Sequence, residues 1–377
     1  MPEPREGPPY RMTEMIAAEP ALAERLLRRL EADPAVAELA GAIQRAARAD
    51  EPIRLTGCGT SEHAAQAIAV ILGEALLRVD GHSRAGRQLT SEQAFEVVLE
   101  PQAAGLMVAV SHEGGTWATN RALDAARARG VRTALITAGR QSPGAAIADI
   151  VVATGEQDQS WCHTVGYLSP LVAAVVLAGR LTGRQIDPGA VTNALGRASG
   201  QEGREQAEQV ATALKDVDRV IVLASGADRP AARELALKIE EAAHLPATAR
   251  DVETLLHGHL PAADDGSGLV LILADRDHRS DRLDRARQAL AAAGAIGVAA
   301  AAILAEEAVG ALAPELTPAG RIVAPEMPTL PEAGAALLGT AIPLQILTER
   351  LARARGTNPD TLRRTDERYR NAAATYE

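Results

Sequence analysis

Two short stretches of this chain carry the residue types that hold anions: Leu55-Thr56-Gly57-Cys58-Gly59-Thr60-Ser61 and Ser111-His112-Glu113-Gly114-Gly115-Thr116. Each follows a short apolar run, 53–56 and 106–110, and each precedes a helix-like segment, so each reads as the turn between a buried strand and a helix. Glycines let the backbone fold tightly against a guest, Ser and Thr supply hydroxyls, and the first amides of a helix favour a phosphate or another anion. Gly59, Thr60, Ser61, Ser111, His112, Glu113 and Thr116 are therefore candidate substrate-binding residues. Two such turns in one sheet can grip a single sugar phosphate. Thr116 also reads as a helix N-cap. A dinucleotide fingerprint is excluded, because Glu62 stands where Gly57-Cys-Gly59 would need its third glycine.

A second set is proton-active. Glu234 and Lys238 lie four apart on one helix face, and Glu241 follows one turn later. Glu241 reads from spacing alone as a solvated helix carboxylate paired with Lys238. His257 and His259, in Leu-Leu-His-Gly-His-Leu-Pro, read either as structural loop histidines or as proton-transfer groups, with His257 favoured. His163 either reaches a ligand or caps its helix, and Asp277, His278 and Asp281 read as a solvated loop. Cys58 and Cys162 show no CxxC or Cys/His spacing, which predicts free thiols, no disulfide framework and no metal site.

The elements that must position these residues alternate. Helices are expected over 12–29 and 35–49, then strand 53–56, helix 62–77, strand 106–110, helix 117–128, strands 132–137 and 150–153, and helix 163–181. A Gly-rich stretch over 183–203 reads as hinge-like, followed by a connecting helix over 205–215. The pattern then restarts with strand 220–224, helix 230–244, strand 269–273, helix 280–293, apolar runs at 295 and 322, and a last helix over 343–355. Alternation of this kind specifies parallel sheets covered on both faces, and the lag between Leu55-Thr56-Gly57 and Leu223-Ala224-Ser225-Gly226 indicates two copies of one unit. The expected division is a helical segment over 1–50, with a Pro-rich tip over 1–10 expected to be disordered, one α/β unit over 51–200, a second over 201–355, and a polar tail over 356–377.

At 377 residues the chain can bury two cores, and its net charge of −10, without basic clusters, argues against a nucleic-acid partner. The longest apolar run, near 295–305, is too short and Ala-rich for a bilayer, and the amino terminus lacks a signal-peptide order. A cytoplasmic protein with a small-molecule partner is expected.

The chain resembles the sugar isomerase (SIS) family, through the amino-terminal helix over 12–20, Cys58-Gly59-Thr60-Ser61, the Ser-x-x-Gly-x-Thr turn at 111–116, Glu234-Leu-Ala-Leu-Lys238-Ile-Glu-Glu241, the segment 253–258 and Asn358-Pro359-Asp360. The resemblance implies two SIS domains, each a parallel sheet between helices (α-β-α, flavodoxin-like), and a homodimer with shared active sites. It implies that Ser61, Ser111, His112 and Thr116 bind the sugar's phosphate. It further makes Glu241 the base that moves a proton between C1 and C2, His257 of a neighbouring subunit the ring-opening group, and Glu234 with Lys238 a pair beside the site. No metal or organic cofactor is implied.

Four departures limit the transfer. Ser111-His112-Glu113 replaces the common Ser-x-Ser, and a carboxylate there repels a dianion unless it turns away or binds sugar hydroxyls. Trp161-Cys162-His163-Thr164-Val165 replaces Ala-Ser-Thr-Lys, so a lysine is lost and a histidine gained. The tail ends Ala374-Thr375-Tyr376-Glu377 without the family's terminal lysine, and the start Met1-Pro2 lacks a cysteine nucleophile for glutamine-dependent amination. The expectation is isomerisation or deaminating isomerisation of a sugar phosphate or amino-sugar phosphate through an enediol or enediolamine. The alternatives are a fructosamine-phosphate deglycase or lyase, and a non-catalytic sugar-phosphate-binding regulator.

Overall fold

A computed structural model describes residues 4–79, 89–101 and 103–375. The first three residues of the Pro-rich tip and Tyr376-Glu377 of the tail lie outside the described residues. Two helices open the chain, α1 (Arg11–Ala32) and α2 (Pro34–Arg48). The first unit follows as β1 (Ile53–Gly57), α3 (Thr60–Val79), β2 (Leu89–Gln93), α4 (Ala94–Leu99), β3 (Leu106–Val110), α5 (Trp117–Ala128), β4 (Arg132–Thr137), α6 (Pro143–Ile147), β5 (Ile150–Ala153) and α7 (Val165–Thr182). Helices α8 (Pro188–Ala198) and α9 (Gln201–Leu214) lead into the second unit. This comprises β6 (Arg219–Ala224), α10 (Arg229–Ala243), β7 (Ala247–Asp251), β8 (Ser267–Leu273), α11 (Arg279–Ala295), β9 (Ala299–Ala305), β10 (Gly320–Ala324) and α12 (Glu332–Ala354), and the tail carries α13 (Glu367–Ala373).

Both sheets are parallel and five-stranded, in the orders β2-β1-β3-β4-β5 and β7-β6-β8-β9-β10. The identical order confirms the repeat. In each, the first two strands in sequence lie side by side at one edge before the order reverses, and the crevice above that reversal is where open α/β sheets receive ligands. The central strands β3 and β8 are buried along their whole length and read as continuous apolar runs. The edge strands β2 and β7 are half-buried and polar, which is why the sequence shows no apolar run there.

The stretch expected to be a hinge contains α8. Asp187 accepts from the amides of Gly189 and Ala190, Pro188 opens the helix, and Val191, Ala194, Leu195 and Ala198 form its buried stripe. The last helix is also longer than expected, because Pro343 lies inside α12 instead of starting it. Helix α7 is long and apolar enough to cross a membrane, yet 89% of it is buried inside the fold. It is a core helix against which α1, α3 and α12 pack.

The tail closes the molecule on itself. Tyr10, at the N-cap of α1, makes no side-chain cap bond. Asp360 takes that role from the far end of the chain, accepting from the amides of Arg11 at 2.7 Å and Met12 at 3.0 Å.

Candidate functional site

The first turn is set by steric necessity. A Cβ on Gly57 would stand 2.6 Å from the backbone of Ser61, and Gly59 adopts φ +56°, so only glycine lets α3 begin this close to β1. The turn leaves Thr60 and His63 on the first turn of α3 facing the second unit. Thr60 Oγ1 donates to Glu234 Oε1 at 3.1 Å, and His63 Nδ1 lies 2.8 Å from Glu234 Oε2.

Glu234, Lys238 and Glu241 project from one face of α10. Lys238 Nζ donates to Glu241 Oε2 at 2.6 Å and lies 3.6 Å from Glu234 Oε1. Glu234 and Lys238 are fully buried, whereas the Glu241 side chain keeps 24% of its surface. Burial works against both buried charges, but each is overcome. Lys238 and His63 hold the Glu234 carboxyl below its ordinary value, and Glu241 with Glu234 hold the Lys238 ammonium above its own. Glu241 is thus paired with Lys238 as its spacing implies, but with a partner ammonium sealed in the interior while its own carboxylate stays in reach of solvent.

The second turn supplies the hydroxyls. Ser111 is buried with its Oγ 3.4 Å from Thr116 Oγ1. Thr116 occupies the N-cap position of α5 without a side-chain cap bond, so its hydroxyl belongs to the turn and not to the helix. Glu113 is exposed and its carboxylate remains hydrated.

The loop before α7 joins the two sets. Asp158, buried, accepts from the amides of Thr164, Val165 and Gly166 and from Thr164 Oγ1. The helix is thus capped by Asp158 and not by His163. His112 Nε2 accepts the Asp158 amide at 3.0 Å, so its proton sits on Nδ1, and its ring lies 5.0 Å from that of His163. Burial, followed by the charge of Lys238, lowers the His163 pKa despite Asp158 and Glu241, and its Nε2 is buried without a partner. Cys162 is buried close to Lys238 and Glu241, and burial raises its thiol well above the ordinary value. Burial also raises Cys58, which stays a thiol 3.8 Å from Thr119 Oγ1.

The structure thus links Thr60 and His63 to Glu234, Lys238 and Glu241 across the boundary of the two units, with His163 and His112 in the adjoining loop, Ser111 and Thr116 in the turn around His112, and Gly59 and Ser61 in the turn of Thr60. His257 is not in this cluster. Its side chain is 69% exposed, held by Glu253 at 2.8 Å, on a kinked segment where Gly258 takes φ +130°. His63 and Asp158 are the residues sequence reasoning missed. A titratable group on the first turn after a glycine loop, and an Asp shortly before a buried helix, were the available signals.

A family model described as SIS domain matches residues 48–180 and 213–308. The chain belongs to the SIS domain family. It is 30% identical over 288 residues to a glutamine--fructose-6-phosphate aminotransferase (isomerizing) of Symbiobacterium thermophilum, covering 72% of this chain and 46% of that protein. It spans about half the length of the curated relatives it matches. The C-terminal domain of glucosamine-fructose-6-phosphate aminotransferase from Francisella tularensis superposes with a TM-score of 0.75 at 19% identity, over 95% of this chain and 99% of that one. The tagatose-6-phosphate ketose/aldose isomerase of Escherichia coli does so with 0.70 at 18%, over 93% and 95%. At these identities the two structures speak to the fold.

The two SIS units differ at their matching turns. Gly226, with φ +60°, repeats Gly59 after β6, but two residues on stands Asp228 where the first unit has Ser61. Asp228 accepts from the amides of Ala274 and Asp275, and Asp275 accepts from that of Ala227. Amides that could face an anion are already taken by the unit's own carboxylates. The first unit carries the hydroxyls of Ser61, Ser111 and Thr116 at its turns instead, while the amides of Ser61, Glu62 and His63 are taken by the carbonyls of Cys58 and Gly59.

Proposed function

We propose that this chain is a sugar-phosphate or amino-sugar-phosphate isomerase. The supporting observation is the half-buried Glu241 carboxylate, held by a sealed ammonium that also meets Glu234, the partner of Thr60 in the first unit's glycine turn. In this reading Ser61, Ser111 and Thr116 cradle the phosphate with the first amides of α5. Glu241 takes the proton from C2 of the open-chain aldose or amino sugar and returns it to C1 through the enediol or enediolamine, while Lys238 fixes its orientation. The uncharged His163 donates to a substrate oxygen as charge develops on it. His257 of a second copy opens the sugar ring, which makes the working form a homodimer. Glu113, being exposed, turns from the phosphate.

The test is incubation with hexose and amino-hexose 6-phosphates in deuterated water. Wild-type protein incorporates deuterium at C1/C2, and Glu241→Gln stops this while the thermal shift with the same ligand persists. Exchange undiminished in the variant removes Glu241 from the role. A thermal shift without exchange in the wild type makes the protein a sugar-phosphate-binding regulator.

A further inference from the structure

Helix α10 opens against its own electrostatics. Its first turn holds no acidic residue, and Asp228 at its N-cap makes no side-chain cap bond, because that carboxylate is turned to the amides of Ala274 and Asp275. Arg229 and Arg233 stand instead at i and i+4 on one face of this end. Cations at the positive end of a helix dipole and like charges one turn apart both cost stability, so neither rule of helix formation accounts for the pair. Edge strand β7 brings a third arginine, Arg250, to the same place.

The three side chains and Asp251 border a cavity of about 60 Å³ with a floor of alanines. Its volume holds about four waters, as many oxygens as a phosphate carries. Arg229 Nε donates to Asp251 at 2.5 Å, which cancels one of the three guanidinium charges. Among the described residues Arg233 makes no hydrogen bond or ion pair, and Arg250 donates only to the carbonyl of Ala249. Three guanidiniums against one carboxylate leave two positive charges at one small cavity, on a chain whose net charge is −10. A phosphate carries about −2 and accepts from guanidiniums in bidentate fashion, so it offsets the repulsion, opposes the dipole and fits the volume. Local rules broken without a compensating contact in the fold mark functional positions.

Helical spacing separates this place from the Glu241 cluster. Glu234, Lys238 and Glu241 share one side of α10, where Thr60 and His63 of the first unit meet Glu234. Arg229, Ala232 and Arg233 lie round the helix from them, against β7.

We propose that the amino end of α10 is a second phosphate-binding site, apart from the turns of the first unit, in which Arg233, Arg250 and Arg229 hold the free ion or the phosphate group of a small phosphorylated molecule. The inference stands independently of the reading of Glu241.

The experiment follows the arginine Nε–H resonances by NMR while inorganic phosphate is titrated against chloride at constant ionic strength. The Arg233 and Arg250 resonances are assigned by their loss in Arg233→Glu and Arg250→Gln. In wild type, phosphate moves both along one saturating curve that chloride does not produce, and each variant weakens the response of the remaining arginine at least tenfold. A repeat with glucose 6-phosphate separates the two sources, since the tighter of the two probes names the free ion or the monoester. Melting temperatures in chloride give a readout of opposite sign from a structural role: Arg233→Glu relieves the repulsion and melts above wild type. Should that variant fail to fold, Arg233→Gln takes its place and melts no lower than wild type. Resonances unmoved by either phosphate probe, or moved equally by chloride, overturn the site, as does a folded Arg233 variant that melts below wild type.

Discussion

Lys238 and Glu241, one helical turn apart on α10, meet at 2.6 Å with the ammonium sealed in the interior and the carboxylate still reached by solvent. The same ammonium lies beside Glu234, so it holds two carboxylates of opposite exposure at once. Removing it leaves Glu234 ionised in the core with only Thr60 and His63. Lys238→Met should therefore cost about 3–5 kcal/mol of stability, measured as a lowered urea midpoint with unchanged slope. Adding Glu234→Gln to that variant should restore part of the loss. Glu241→Gln, whose amide oxygen still accepts from Lys238, should cost about 1 kcal/mol or less.

The unequal turns of the two units make a prediction about where anions bind. The second unit fills its own turn with Asp228, at the position of Ser61 in the first. Ser61→Asp should reproduce that self-filling, abolishing the thermal shift given by a hexose 6-phosphate while leaving the unliganded melting temperature within a few degrees. Thr116→Val tests the same turn more gently. Because Thr116 makes no cap bond, the change should cost less than about 0.5 kcal/mol of stability. It should still weaken phosphate binding roughly tenfold through the lost hydroxyl.

How far these groups could be read from the chain depends on whether their signal was local. The glycine turns, the buried strands β3 and β8 and the Glu/Lys/Glu face of α10 are written in consecutive residues, so the repeat and the pairing of Lys238 with Glu241 were legible. Edge strands β2 and β7 were not, because half-exposed strands carry polar residues and lack an apolar run. Helix α8 was hidden by the glycines flanking its Asp187-Pro188 start. His63 could not be placed without tertiary contacts, since its partner Glu234 lies 171 residues away. The part Asp360 plays at the start of α1 was equally invisible, spanning the whole fold.

Asp158 is a structural keystone of the His112 and His163 loop. It accepts three amides at the start of α7 and a hydroxyl, while its own amide orients His112. Asp158→Ala should cost about 2 kcal/mol or more, above an ordinary cap replacement, because several buried donors lose their acceptor together. Asp158→Asn keeps one acceptor oxygen and should cost less. Paired with the urea midpoint, the two histidine ring resonances should shift together in the alanine variant, as both rings lose their common anchor.

His244 contributes to how the fold responds to acid. It ends α10 in the left-handed conformation at φ +53°, and burial, followed by the charges of Arg363 and Arg355, lowers its pKa to about 4. The unfolded chain takes up a proton at His244 as pH falls through 6.5, whereas the folded chain resists until about 4. The contribution of His244 is therefore fully present above pH 6.5 and is lost as pH falls through the folded value. His244→Asn removes the titration, and Asn tolerates the left-handed backbone better than most residues. The variant should match or slightly exceed the wild type at pH 7.5. By pH 4.5 it should lead by roughly 1–2 kcal/mol, a figure already reduced for the half-exposed position. Denaturant midpoints at the two pH values decide the matter: curves that run parallel for both proteins would show that the His244 proton has no bearing on stability.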